Sequence, residues 1–308
     1  MKTAIRGNHC AMVTPFTDDG RIDEPSLERL VAHLLAENVH GLLVVGTTGE
    51  GFNLEVAERM HIAERVLRWV NGGVPVGVMI GYAGTQTSIE LGKHAMEVGA
   101  DYVLVPPPPS AFPLSGVGLA GYYIEVAQAV DLPVMVYDGG GGIEVSLAVW
   151  QRLIDESDNV RYAKVSVHDP VKVKTLLKGL GGRIQPLAGK EETVLAMLGN
   201  GAVGMISGAA NAAPADVSAV FEAYTSGDRE GARRIFYSRV NPLVTMTFPA
   251  RNEFIQCLKQ VLHWKGVIAS PATRHPLPGL DDVRIEELRG AYEFAIAEDR
   301  LSQTPAAD

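Results

Sequence analysis

Cysteine is almost missing from this chain of 308 residues. Cys10 and Cys257 stand far apart, each in an apolar segment, without the paired spacing of a zinc site or a disulfide framework. Both are expected to be free, buried thiols. No apolar run is long enough to span a bilayer, and Met1–His9 holds no apolar stretch of signal-peptide length. The expectation is a cytoplasmic protein with no membrane partner. The histidines (His9, His33, His40, His61, His94, His168, His263, His275) include no pair at metal-ligand spacing beside a carboxylate, so no metal is expected. Basic residues do not cluster. A net charge of −9 argues against a broad nucleic-acid surface, while leaving room for a local basic pocket that takes a small acid. Pro106–Pro109 and Gly139–Gly142 lack both the spaced G-x-G-x-x-G that opens a helix and the G-K-[ST] ending of a phosphate loop. No nucleotide or other cofactor is expected.

What is present is regular alternation. Short β-rich runs near 9–14, 41–46, 74–81, 101–106, 132–138, 160–166, 183–188 and 202–207 are separated by amphipathic helical patterns. The helices are expected at 25–38, 54–70, 85–98, 118–130, 146–156, 169–178, 191–198 and 214–224, the first with Pro25 in its opening turn after Asp23 and Glu24. Successive β-α pairs imply parallel strands joined by helical crossovers. An open doubly wound sheet is one solution. The count of pairs and a unit length of about 25 residues favour an α/β protein built as a (β/α)8 TIM barrel. Beyond it, 228–240, 252–263 and 283–297 predict three more helices, with a Pro- and Gly-rich loop at 270–279. Residues 1–225 are therefore expected to form the barrel and 226–308 a C-terminal helical extension.

One lysine interrupts this pattern. Lys164 lies in Val160-Arg161-Tyr162-Ala163-Lys164-Val165-Ser166-Val167, a run that otherwise predicts a buried strand. A buried ammonium has a depressed pKa, and a neutral amine is the nucleophile that attacks a ketone to form a Schiff base. The alternative is a strand-end lysine whose head reaches water. Alternation places Val160, Tyr162, Lys164 and Ser166 on one face and Arg161, Ala163, Val165 and Val167 on the other, so the lysine faces the barrel interior. Barrel active sites form at the C-terminal strand ends. The loop Gly46-Thr47-Thr48-Gly49-Glu50 is one such end, and its two hydroxyls and free N–H groups suit the carboxylate of a 2-oxo acid. A turn capping the next helix is the other reading of the same residues.

These residues carry a family resemblance. Gly46–Glu50 after the second strand, Tyr137 ending the fifth, Lys164 in the sixth and Gly201-Ala202-Val203-Gly204-Met205-Ile206-Ser207 near the eighth resemble the dihydrodipicolinate synthase and N-acetylneuraminate lyase family. The resemblance runs over nearly the whole chain, from Val13-Thr14-Pro15-Phe16 into the helical tail. It implies that Lys164 condenses with pyruvate or a larger 2-oxo acid, that Tyr137 moves protons, and that Thr47, Thr48 and Gly49 hold the carboxylate. Ser166 is placed to bond a substrate hydroxyl, with Lys190 and Ile206 lining the remainder of the binding site. A homo-oligomer, dimer or tetramer, is implied as well.

The departures from the family pattern are equally specific. Dihydrodipicolinate synthases usually carry an arginine shortly after the tyrosine of the fifth strand, where it holds the carboxylate of the aldehyde substrate; here the stretch is Asp138-Gly139-Gly140-Gly141-Gly142-Ile143-Glu144. Pro107-Pro108-Pro109 replaces the tyrosine pair after the fourth strand. Lys190 stands where many relatives have an acidic residue, either as a cation facing the distal end of the substrate or as a solvated side chain. The tail segments Gly266–Ser270 and Arg274-His275-Pro276 are similar to those of sugar-acid dehydratases. The expectation is a Schiff-base aldolase or dehydratase for a 2-oxo acid, extending to keto-deoxy sugar acids. The alternatives are 4-hydroxy-tetrahydrodipicolinate synthase proper and a non-catalytic barrel that only binds oxo acids.

Overall fold

Residues 4–81, 84–110, 114–247 and 253–302 are described by the computed structural model, with side chains through residue 293. Eight parallel strands close into a barrel: β1 (Gly7–Ala11), β2 (Gly41–Val44), β3 (Val76–Met79), β4 (Tyr102–Val105), β5 (Val134–Asp138), β6 (Val160–Val165), β7 (Gln185–Ala188) and β8 (Gly204–Ser207). Closure is made by β1 against β8, with Gly7 opposite Gly204 and His9 opposite Ile206. The crossover helices are α1 (Glu24–Ala36), α2 (Val56–Val70), α3 (Thr85–Glu97), α4 (Gly116–Gln128), α5 (Leu147–Glu156), α6 (Val171–Gly179), α7 (Val194–Gly199) and α8 (Pro214–Ser226). Asp23 caps α1 by accepting from the Ser26 N–H at 3.1 Å, with Pro25 in the first turn as the chain pattern implies.

Two strand expectations are corrected. The first strand runs from Gly7 rather than from residue 9, because its pairing partners on β8 begin at Gly204 and the Val13 N–H is taken by the Asn211 side chain at 3.0 Å. The sixth strand is bulged. Val134 pairs with Val160, but Met135 pairs with Tyr162, leaving exposed Arg161 unmatched. A bulge of this kind breaks strict alternation. Val160 therefore packs outward with the helix layer, while Tyr162 and Lys164 face inward.

The barrel interior is a packed core of its own, holding Ala11, Leu43, Met79, Tyr102, Leu104, Met135, Tyr162, Leu187 and Ile206. Within it His9 and Tyr102 are paired at 3.0 Å between Nδ1 and the hydroxyl. Glycine makes room for both. A Cβ on Gly41 would enter the His9 ring, and one on Gly77 would enter the Tyr102 ring. Burial holds the His9 imidazole neutral, with its pKa lowered to about 3.

Past α8 the chain continues through α9 (Arg229–Ile235), a π turn at Phe236–Val240, α10 (Asn241–Thr247), α11 (Phe254–Trp264) and α12 (Asp282–Ser302). The helix expected to stop at residue 240 runs on past Pro242. Proline lacks an N–H and crowds the preceding turn, and the widened π turn just ahead of it accommodates both effects. Asn252, the expected start of the next helix, lies outside the described residues. Phe236, Val240, Leu258, Val261 and Leu262 belong to the same apolar cluster as the helix layer of the barrel, so the extension packs on it directly. Among the described residues, no helix is long and apolar enough to cross a membrane, and no cluster of three His, Cys, Asp or Glu is arranged to hold a metal.

Gly77→Ala is expected to destabilise the fold by about 1–3 kcal/mol through overpacking against Tyr102. Urea unfolding should show a lower midpoint at unchanged slope.

Candidate active site

The loop after β2 is wound tightly. Val45 and Glu50 both adopt the left-handed conformation, with φ of 50° and 55°. For a β-branched valine this is a strained backbone, at a cost of about 1–3 kcal/mol. Neighbouring backbone enforces it. The Gly51 N–H bonds the Gly46 carbonyl at 2.9 Å, and a Cβ at Gly51 would collide with the Val45 carbonyl. Thr14 donates to the Gly49 carbonyl at 2.7 Å, and a Cβ at Gly49 would lie 2.8 Å from the Met12 carbonyl oxygen. Gly49 thus sits beneath the loop against the first strand's end, and it is not among the residues that line the cavity described next.

Glu50 is anchored from the far end of the chain. Its fully buried carboxylate accepts from Lys259 Nζ at 2.5 Å and from the Arg274 N–H at 3.0 Å. Lys259, on α11 and also fully buried, donates to the Ala272 carbonyl at 2.8 Å and lies 4.2 Å from the Phe16 ring centroid. Arg274 covers the same ring at 4.4 Å and holds Glu58 through two bonds of 2.6 Å. Helix α11 and residues 270–274 thereby clamp the Thr47-Thr48 loop.

Above the interior core opens a cavity of about 220 Å³, lined by Thr47, Thr48, Tyr137, Lys164, Ser166, Lys190 and Ile206 together with Ala11, Gly139, Gly189, Glu191, Glu192, Gly208 and Phe254. Lys164 and Tyr137 are register partners on adjacent strands. The lysine is 6% exposed, and its Nζ stands 4.1 Å from the tyrosine ring centroid. Burial pushes the Tyr137 phenol up, but the Lys164 charge and hydrogen bonds with Ser166, Lys164 and Thr47 outweigh it and hold the group below the ordinary tyrosine value. That is the condition for a tyrosine that both gives and takes a proton.

Gly189 shapes the opposite wall. A Cβ there would stand 3.1 Å from Lys164 Cγ and Cε and would strike the Ser166 hydroxyl, so only glycine lets the lysine rise along β7. Ser166 donates to the Gly189 carbonyl at 3.1 Å. Glu191 is buried with its carboxylate committed to the Ser207 hydroxyl at 2.9 Å and the Ala209 N–H at 3.0 Å. Asp138 is fully buried as well, accepting from the Val145 N–H and Trp150 Nε1, each at 2.9 Å, with Lys172 at 3.4 Å. Burial pushes its carboxyl pKa up, with the Trp150 bond opposing.

Every binding or catalytic residue expected from the chain except Gly49 thus lines one cavity. Gly189 and Glu191 have no role that the sequence alone assigns, because their parts depend on contacts across strands. Phe254 carried no signal at all, since it arrives from the helical extension rather than from a barrel loop.

Residues 4–293 match the model of the Dihydrodipicolinate synthetase family. The chain belongs to this family. It is 35% identical over 249 residues to the 4-hydroxy-tetrahydrodipicolinate synthase of Psychrobacter sp. (strain PRwf-1), covering 80% of this chain and 82% of that protein. The dihydrodipicolinate synthase of Acinetobacter baumannii, solved in complex with pyruvate, superposes with a TM-score of 0.88 at 31% identity, over 95% of this chain and 99% of that one. YagE, a prophage protein of Escherichia coli K12 in the same family and also solved with pyruvate, gives 0.89 at 26% identity, over 96% and 99%. Membership makes the protein an enzyme, a carbon–carbon or carbon–oxygen lyase of the Schiff-base type, and overturns the non-catalytic alternative.

Lys259→Met leaves Glu50 buried without its partner and is expected to cost about 3–5 kcal/mol, partly recovered by adding Glu50→Gln. The pH dependence has a definite sign. Burial lowers Lys259 from an ordinary 10.5 to about 8, against the pull of Glu50. Between those values the unfolded chain binds more protons, so this residue makes stability rise with pH across that window. Urea midpoints measured from pH 8 upward should show the rise in the wild type and its loss in Lys259→Met.

Proposed function

We propose that the protein is a class I aldolase or dehydratase acting on pyruvate or a larger 2-oxo acid, in particular a keto-deoxy sugar acid. The observation that carries this reading is the pairing of Lys164 with Tyr137 at the floor of a cavity whose rim is the Thr47-Thr48 loop. The amine of Lys164 attacks the ketone carbon and water leaves, which yields an iminium. Such an ion draws electrons from the adjacent carbon, so that retro-aldol cleavage, condensation and loss of a β-hydroxyl share one intermediate. Tyr137, held between Lys164, Ser166 and Thr47, carries protons at the reacting bond. Thr47 and Thr48 seat the substrate carboxylate, and Ser166 faces a hydroxyl further along the chain. Ile206 supplies apolar wall beneath.

The condensation named for the relatives is a second reading, favoured by how many of them bear that name. Against it stands the stretch Asp138–Glu144, where the expected arginine is replaced by glycines and Asp138 is turned away into bonds with Val145 and Trp150.

Borohydride reduction with pyruvate, followed by intact mass and peptide mapping, should place one adduct on Lys164 and none in Lys164→Ala. Absence of an adduct across a panel of 2-oxo acids would defeat the proposal. Tyr137→Phe is expected to lower kcat by about 10²–10⁴-fold.

A further inference from the structure

We infer that Lys190 selects the substrate: the enzyme takes a 2-oxo acid that bears a second carboxylate at the end remote from its ketone, a keto-deoxy sugar diacid rather than a monoacid. This rests on the Schiff-base reading of Lys164. Among the described residues that line the cavity, Lys164 and Lys190 are the cations. With the ketone at Lys164 and its neighbouring carboxylate at Thr47 and Thr48, Lys190 is the positive charge left for the distal end.

The ammonium of Lys190 is also unspent. Lysines that are buried or half-buried elsewhere are engaged: Lys259 with Glu50, Lys172 with the Val145 carbonyl at 2.9 Å, and Lys164 against the Tyr137 ring. Among the described residues, Lys190 is half-buried and its side chain has no hydrogen-bond or ion-pair partner; only its backbone carbonyl is used, by Thr193. Neither neighbouring acid is paired with it. Glu191 is committed to Ser207 and Ala209, and Glu192 is exposed at the rim, where water and salt screen it. A partly desolvated cation facing a cavity is a strong seat for a carboxylate, because a charge-assisted hydrogen bond exceeds a neutral one.

The fifth-strand loop supplies no competing cation. The stretch from Asp138 to Val145 holds no Lys or Arg. The distal group is therefore recognised from the seventh strand instead of the fifth.

The test uses trapping rather than turnover, since any 2-oxo acid that reaches Lys164 forms a reducible iminium. The half-saturating concentration for borohydride trapping is measured for 2-oxoglutarate, 2-oxoadipate and 2-oxopimelate, each against the straight-chain 2-oxo monoacid of the same length. At the best length the wild type should favour the diacid by about 10–100-fold, the worth of one hydrogen bond to a charged group. Added salt should shrink the preference. Lys190→Gln should abolish it by weakening the diacid alone, and Lys190→Arg should restore most of it. Equal trapping of both members at every length, or an equal loss for both in Lys190→Gln, overturns the assignment of Lys190 while pyruvate still traps at Lys164. Failure of pyruvate itself to trap in the wild type overturns the Schiff-base reading and this inference with it.

Discussion

The buried pair of Glu50 and Lys259 is the contact on which the site's geometry depends. Two fully buried charges are costly to desolvate, and they are tolerated here because each is saturated: the carboxylate by Lys259 and the Arg274 N–H, the ammonium by Glu50, the Ala272 carbonyl and the face of Phe16. The pair brings together residues 209 positions apart. It locks a left-handed turn whose other members are the two threonines, and so it turns a strained, mobile class of loop into a fixed set of hydroxyl donors. Preorganised donors are what a carboxylate seat needs, since no energy is then lost in arranging them when substrate arrives.

The barrel below serves the same end by different means. Glycines at 41 and 77 admit the His9 and Tyr102 rings, which with Tyr162 and the aliphatic residues above them fill the interior. A filled interior gives Lys164 a rigid floor. Its position along β6 is then set by register with Tyr137 on one side and by the bare backbone of Gly189 on the other. The lysine has one direction left to extend, into the cavity.

Much of this was legible in the chain. The alternation of short β-rich runs with amphipathic segments is a local signal, and it sufficed for eight strands, eight crossover helices and a helical tail. The meeting of Lys164, Tyr137, Thr47, Thr48, Ser166, Lys190 and Ile206 in one cavity was legible because barrel topology brings strand ends together whatever the details. What escaped was set by partners distant in sequence. The bulge at Arg161 follows from the pairing of β6 with β5, which no property of β6 alone reveals. The Glu50–Lys259 pair joins a loop to a helix outside the barrel. The π turn before Pro242 shows packing overriding a local rule, as the apolar face of Leu243 and Val244 is buried only if the helix continues.

The fifth-strand loop carries an implication for how such a site changes over time. Asp138 bonds the Val145 N–H, and the Gly139 N–H bonds the Ile143 carbonyl at 2.9 Å, so the stretch between is tied off at its base. Trp150 and Lys172 hold Asp138 from behind. Changes at Gly141 and Gly142, where an added Cβ meets nothing within 4 Å but the backbone is left-handed, are therefore insulated from the strand that carries Tyr137, whereas a Cβ at Gly140 would press on the Tyr137 ring. The loop behaves as an exchangeable cassette, in which new side chains can be tried against new substrates while the covalent chemistry at the barrel floor is left in place.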